Sequence, residues 1–311
     1  MHEPMVSIVI PTFNSAKTIA KALESLRSID YSNYEIIIVD GGSYDGTLEI
    51  VRKFGVNKIV VERRRGRGVA YNTGLLKAKG KYVAFLDSDA FVGTPSWIAN
   101  AVNVMEKDSK VAVVFTKVYA PPDASFLQKA IDTFLCKGFT TANGAVYRKD
   151  VVIGVGGFNE RMNYMQEDEL LYRLLKAGYK YHVNLSDKIF HYHRNSIKAY
   201  IRQNIEAGEG SKIYYRLTRD RRALIDSLTR ICSLIISALL LLTATFSPWS
   251  LLLLPAGYLF VLVKVIKETH PIYKCSKYVL FSPFLIYLSL IGFTIGYLKE
   301  SLKNAHVLHN K

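Results

Sequence analysis

Short apolar runs rich in β-branched residues alternate with stretches of helical periodicity along the first part of the chain. Val6–Pro11 (VSIVIP) is followed by a helical pattern over Ala16–Ser28, and Glu35–Asp40 (EIIIVD) by a second over Thr47–Phe54. Lys58–Val61 predicts a third strand, Val69–Lys77 a helix and Tyr82–Leu86 a fourth strand. Pro95–Lys107 reads as a helix that starts on proline, and Val111–Val118 as a further strand. Apolar strands separated by helices predict βαβ units, a mostly parallel sheet covered on both faces, and hence a Rossmann-like α/β domain.

From Leu228 the pattern changes. Leu228–Phe246, Trp249–Ile266 and Val279–Leu298 are each close to the ~20 apolar residues that span a bilayer core. Ser247 and Pro248 between the first two suit a tight helical hairpin, and Pro283 suits a re-entrant or interfacial third helix. Arg194–Gly210, with Ile197, Tyr200, Ile201 and Ile205, reads as an amphipathic interfacial helix. The expected organisation is a catalytic domain over 1–215, which includes this helix, and a membrane domain over 216–311. Met1–Pro11 leads directly into a strand without a signal-peptide pattern. Arg216–Arg230 and Lys264–Lys277 flank the hairpin with positive charge, so the expectation is an integral membrane protein of the plasma membrane with its catalytic domain in the cytoplasm.

Composition agrees with this division. Half of the residues are hydrophobic, and the excess lies in the last third. The net charge of +15 is concentrated beside the apolar segments, which points to anionic headgroups. No basic, aromatic-interleaved recognition module is visible, which argues against nucleic acid as a partner. Cys136, Cys232 and Cys275 are isolated, as in a reducing compartment without structural disulfides.

Candidate chemistry falls at strand ends, where open α/β sheets bind ligands. Asp87-Ser88-Asp89 follows the fourth strand, and two acids one residue apart on an extended chain point to the same side and favour a cation between them. Oxygen donors of this kind suit Mg²⁺ or Mn²⁺. Asp40 closes the second strand, poised to accept from a base or ribose, and Gly41 and Gly42 permit close backbone approach. Asp45-Gly46-Thr47 reads as a turn and helix start. In the loop Arg63–Gly68, Arg65 and Arg67 lie nearest the helix start and suit a diphosphate, whereas Arg63 and Arg64 read as solvated. Acids at Glu167, Asp168 and Glu169 open a helix and complement its dipole. His191 and His193 share one face of a strand over Tyr181–Phe190 and its continuation.

Five ordered blocks, VSIVIPTFN, VDGGSYDGT, GRGVAYNTGLLKAKGKYVAFLDSDA, GGFNE and QEDEL, resemble glycosyltransferase family 2, the inverting nucleotide-sugar transferases of the GT-A fold. The resemblance covers about Val6 to Arg216. It implies that Pro11, Thr12, Asn14, Asp40, Gly41 and Ser43 hold the nucleoside, with Ser88 also on the nucleotide-sugar side. It implies that Asp89 ligates a divalent metal and that Asp87 serves ribose and metal, with His193 favoured over His191 as a further ligand. Asn143, Gly144 and Glu167 fall on the acceptor side, and Asp168 matches the general base. The usual acid after the first-strand Asn is Ser15 here. The Gln-x-x-Arg-Trp pattern of processive synthases is absent, since the chain reads Gln203-Asn204-Ile205-Glu206-Ala207. The function implied is metal-assisted transfer from a UDP- or GDP-sugar to a lipid-linked or polyprenyl-phosphate acceptor. The rival readings are a metal-dependent nucleotidyltransferase and a non-catalytic membrane scaffold.

Overall fold

The computed structural model describes residues 3–135, 138–243, 253–268 and 276–309. In chain order its elements begin with β1 (Val6–Thr12), α1 (Ile19–Ser25), β2 (Tyr34–Asp40), α2 (Thr47–Lys53), β3 (Lys58–Val61) and α3 (Arg67–Lys77). They continue with β4 (Tyr82–Phe85), β5 (Ala90–Val92), α4 (Trp97–Lys107), β6 (Val111–Tyr119), α5 (Phe126–Leu135) and β7 (Val146–Arg148). The remainder are α6 (Lys149–Gly154), α7 (Gln166–Lys176), β8 (Lys180–His191), α8 (Ile197–Thr218), α9 (Arg221–Thr243), α10 (Leu253–Glu268) and α11 (Lys277–His309).

The chain divides into two compact units, one of Met1–Pro121 with Gly138–Tyr192 and one of Pro122–Lys137 with His193–Lys311. This division by packing and the expected one at 215 differ over residues 193–215. Helix α8 joins the second unit, because its buried face meets α11, and α5 belongs there too despite its place in the sequence.

In the first unit eight strands form one sheet in the order β3-β2-β1-β4-β7-β6-β8-β5. The pairs β3–β2, β2–β1 and β1–β4 are parallel, as is β6–β8; β7 runs antiparallel to both neighbours and β5 antiparallel to β8. The sheet is thus mixed, with β3, β2, β1 and β4 as its continuous parallel part. Strand alternation sorts the core into two layers. Ile8, Ile10, Ile38 and Ala84 face Trp97 and Ile98, while Val9, Ile37, Val83 and Phe85 face Tyr71 and Phe158. The register pairs Thr12 with Asp40, so β1 and β2 end at one level, while β4 ends at Phe85 opposite Val9, three residues earlier, and the loops that follow the three strands converge.

The glycine-bearing motif of α3 is a docking surface. A side chain at Gly74 would collide with Val9, and one at Gly68 with the Asn159 carbonyl. Asn72 Nδ2 donates to the Phe158 carbonyl at 2.9 Å, and the Phe158 N–H donates to Asn72 Oδ1 at 2.8 Å. GRGVAYNTG and GGFNE are thereby locked together.

In the second unit Ala130 and Ile131 of α5 share a core with Tyr200 of α8 and Leu285 of α11. Helices α9 and α10 cover parts of the first two apolar segments, while the Ser247-Pro248 turn lies outside the described residues. Helix α11 continues through Pro283 without interruption. Its stretch Lys277–Lys303 is long and apolar enough to cross a membrane. Cys232 is free and exposed; Cys136 and Cys275 lie outside the described residues.

Candidate active site

Three loops are stitched together at the ends of β1, β2 and β4. Asn14, in left-handed backbone conformation at φ 51°, donates its N–H to Ser43 Oγ at 2.9 Å, and its Oδ1 accepts from the Tyr44 N–H at 3.1 Å. Ser15 Oγ lies 2.8 Å from Ser88 Oγ, which joins the β1 loop to the loop after β4. Asp45 Oδ1 accepts from the Thr47 N–H and hydroxyl, the turn anticipated there.

Asp40 braces the loop that follows β2. It is fully buried and accepts from Thr12 Oγ1, Ser43 Oγ and the N–H groups of Gly42 and Ser43. Four donors fill the acceptor capacity of a carboxylate. Asp40 therefore shapes the loop that carries Gly41, Gly42 and Ser43. At the same edge the exposed rings of Phe13 and Tyr44 meet edge-to-face at 6.4 Å, and the Arg65 guanidinium lies 5.1 Å from the Phe13 ring. Neither ring stood out in the sequence. Arg64 is occupied by Glu62 and Glu160, as a solvated loop residue would be.

Asn143 and Gly144, assigned by resemblance to the acceptor side, are buried behind Asp87. Asn143 Oδ1 accepts from the Asp87 N–H at 3.0 Å, and the Gly144 N–H donates to the Phe85 carbonyl at 2.8 Å. Gly144 has φ 79°, and a side chain there would collide with Ile189. Both residues fix the end of β4.

The third candidate ligand changes as well. Antiparallel pairing of β5 with β8 sets Ala90 opposite His191. The imidazole Nε2 of His191 lies 3.2 Å from Asp89 Oδ1 and 3.9 Å from Asp87 Oδ2. Ligand atoms of Asp87, Asp89 and His191 all lie within 4.8 Å of one another. His193, favoured in the sequence reading, belongs to the second unit, where its Nε2 meets Asp132 Oδ1 at 2.8 Å and its carbonyl accepts from Gln128. Two carboxylates and one imidazole on a partly exposed rim fit a divalent cation that keeps open positions, Mn²⁺ more readily than Mg²⁺.

Opposing electrostatics define the rest of the cleft. Burial, reinforced by the neighbouring Glu167 charge and opposed by a hydrogen bond from Thr140, pushes the Asp168 carboxyl up to about 7. Burial also raises Glu167, although the Ala142 N–H and Arg67 pull it back. Arg67 stays open to solvent while protein atoms crowd its guanidinium, the situation of a side chain lining a cleft. That crowding opposes its charge, but Tyr71, Asp87 and Glu167 more than offset it and hold Arg67 above its ordinary value. Arg67 thus feels the charges of both Asp87 and Glu167. Beneath them the phenols of Tyr71 and Tyr147 are buried and pushed up by burial and by these carboxylates.

The start of α7 carries a local cost. Met165 has φ 62°, and Gln166 is fully buried with no hydrogen-bond partner for either end of its carboxamide among the described residues. Gln166→Met keeps the volume and removes the unmet polar atoms. It is expected to raise unfolding stability by about 1–3 kcal/mol, measured by thermal denaturation.

Residues 7–162 match the family model for glycosyl transferase family 2. The chain belongs to this family. This family 2 glycosyltransferase is 27% identical over 242 residues to the dolichyl N-acetyl-alpha-D-glucosaminyl phosphate 3-beta-D-2,3-diacetamido-2,3-dideoxy-beta-D-glucuronosyltransferase of Methanococcus voltae, covering 68% of this chain and 74% of that relative. It is 38% identical over 122 residues to a UDP-Glc:alpha-D-GlcNAc-diphosphoundecaprenol beta-1,3-glucosyltransferase of Escherichia coli, covering 38% of this chain and only 48% of that protein. A mannosyltransferase from Pyrobaculum calidifontis, solved in complex with GDP-Man and Mn²⁺, matches with a TM-score of 0.71 at 21% identity, over 96% of this chain and 88% of that one. The shared fold is GT-A, as the sequence resemblance implied.

Proposed function

We propose that this glycosyltransferase moves a sugar, with inversion, from a UDP- or GDP-linked donor to a lipid-carried acceptor at a membrane surface. One observation carries the reading: Asp87, Asp89 and His191 lie together on a rim, with their ligand atoms within 4.8 Å of one another. A divalent cation, Mn²⁺ or Mg²⁺, held by Asp89, Asp87 and His191 would neutralise charge building on the departing nucleoside diphosphate. Arg67 and Arg65 orient the diphosphate by guanidinium contacts. The loops of Pro11, Thr12, Asn14, Gly41 and Ser43, braced by Asp40 and tied to Ser88, shape the nucleoside edge.

Asp168 takes the proton of an acceptor hydroxyl as that oxygen bonds to the anomeric carbon. The bond to the nucleoside diphosphate breaks on the opposite face, and the leaving group departs with the electron pair. A carboxyl poised near neutrality suits this proton transfer. It also favours a sugar hydroxyl on a lipid-linked saccharide over a polyprenyl phosphate, whose oxygen arrives ionised and needs no base. The names of the two relatives, with their dolichyl and undecaprenol carriers, support the same acceptor class.

The direct test supplies UDP- and GDP-sugars, Mn²⁺ and an undecaprenol- or dolichol-linked saccharide in vesicles. Transfer to the saccharide with release of nucleoside diphosphate is expected. Pyrophosphate exchange would instead identify a nucleotidyltransferase, and nucleotide binding without metal or turnover a scaffold.

A further inference from the structure

Helix α11 is the described segment best suited by length and composition to cross a membrane, yet its contacts within the second unit tie it to a charged helix. Contacts between α8 and α11 advance in the same direction along both. Tyr200 donates to the Leu285 carbonyl at 3.2 Å, Ser289 to Asn204 Oδ1 at 2.6 Å, Glu209 pairs with Lys299 at 2.6 Å, and Arg216 pairs with Glu300. Backbones approach closely between these points. A side chain at Gly208 would fall on the Phe293 carbonyl, one at Gly296 on the Ile205 carbonyl, and one at Gly292 would come within 2.9 Å of the Ile201 carbonyl. The pair therefore runs parallel from about Tyr200 to Arg216, roughly 24 Å at 1.5 Å per residue, most of a bilayer core.

That length of α8 carries Arg202, Glu206, Glu209, Lys212 and Arg216, and the Arg202 side chain is 83% exposed. If α11 crossed the hydrocarbon, α8 would be carried in with it, and charged side chains there are strongly disfavoured. The exposed large apolar residues of α11 are Leu280, Phe284, Ile295, Leu298 and Leu302. At 3.6 residues per turn they fall on one stripe roughly 60° wide along the helix. Helix α10 shows a comparable stripe of Leu259, Val263 and Ile266. Exposed Arg221, Arg222, Lys264, Lys267 and Lys277 lie among these helices, where they complement anionic headgroups.

We propose that α11 does not span the membrane but lies along it, paired with α8, with its Leu280–Leu302 stripe set into the headgroup–acyl boundary of an anionic bilayer. The inference rests on the membrane reading above and specifies how that membrane is met. A helix with one apolar stripe and a charged partner has the properties of an in-plane element.

The test uses the full chain with Cys136, Cys232 and Cys275 replaced by serine and one environment-sensitive fluorophore at a time on Phe284→Cys, Ile295→Cys or Leu302→Cys. All three positions are exposed. Vesicles contain equal parts phosphatidylethanolamine and phosphatidylglycerol, with lipids brominated at shallow or deep acyl positions. Residues 284 and 302 lie roughly 27 Å apart along a helix, so a spanning helix places them at very different depths. The expected result is strongest quenching by the shallow bromines at all three positions, with binding weakened about tenfold when phosphatidylcholine replaces phosphatidylglycerol. Depths that progress through the bilayer centre would overturn the in-plane placement. So would vesicle binding that leaves all three labels unquenched. Failure of the protein to bind vesicles at all would instead sink the membrane reading itself.

Discussion

An Asp168→Asn protein is expected to fold, to lose at least about a hundredfold in turnover onto a hydroxyl acceptor, and to melt at a higher temperature than the parent above pH 7. The activity loss follows from removing the group that accepts the proton. The stability gain follows from the cost of ionising that group where it stands. Folded, the carboxyl is pushed up to about 7 by burial and by Glu167; unfolded, it ionises near 3.8. Between those values the folded state binds more protons than the unfolded one, so stability falls as pH rises from about 4 to about 7 and levels off above. Asparagine removes a penalty of at most about 4 kcal/mol at pH 8 and changes little below pH 4. For the parent, kcat/KM should rise with pH to a plateau near 7, and this limb should vanish in the variant. Transfer onto a polyprenyl phosphate should be spared, because that nucleophile is already ionised. Full activity onto a hydroxyl in a well-folded Asp168→Asn protein would remove Asp168 from the role of base.

The second large effect concerns the rim. Asp89→Asn should reduce turnover at least about a hundredfold and abolish the Mn²⁺-dependent gain in thermal stability that a bound nucleotide sugar gives the native state. His191→Ala should weaken Mn²⁺ binding at least tenfold, about the smallest loss seen even when a ligand's outer support is removed. His193→Ala should leave Mn²⁺ affinity unchanged and lower stability by about 1–3 kcal/mol, since its imidazole serves the buried Asp132. Electron paramagnetic resonance titration of free Mn²⁺ reads all three variants. The reverse order, with His193→Ala losing the metal and His191→Ala keeping it, would restore the assignment suggested by the sequence.

That pair of histidines shows where a sequence stops being readable. Strands β1, β2 and β4 were legible because their apolar runs are continuous and end in acids or polar loops, and Asp87-Ser88-Asp89 was legible from its place after such a run. Alternation along β8 treats His191 and His193 alike. What separates them is β5, three residues long and too short to read, whose register with β8 brings one imidazole to the rim. For Asp40 the strand-end position was legible, whereas its four donors come from loop geometry the sequence does not display. Asn143 and Gly144 carry no signal of burial, since it comes from distant parts of the chain: the bridge from residue 143 to Phe85, and Ile189 and the Trp97 indole N–H on Gly144. The amphipathic pattern of α8 announced a buried face but not that α11 would cover it.

The division of the chain has a consequence for its biosynthesis. The first unit is complete once β8 has been made, but α5, which leaves the chain between β6 and β7, finds core partners at Tyr200 and Leu285. Leu285 emerges about 150 residues after α5, which at typical elongation rates is roughly 8–30 s. During that interval α5 is made while part of its cover is still unsynthesised. Synthesis close to a lipid surface would give that helix somewhere to wait.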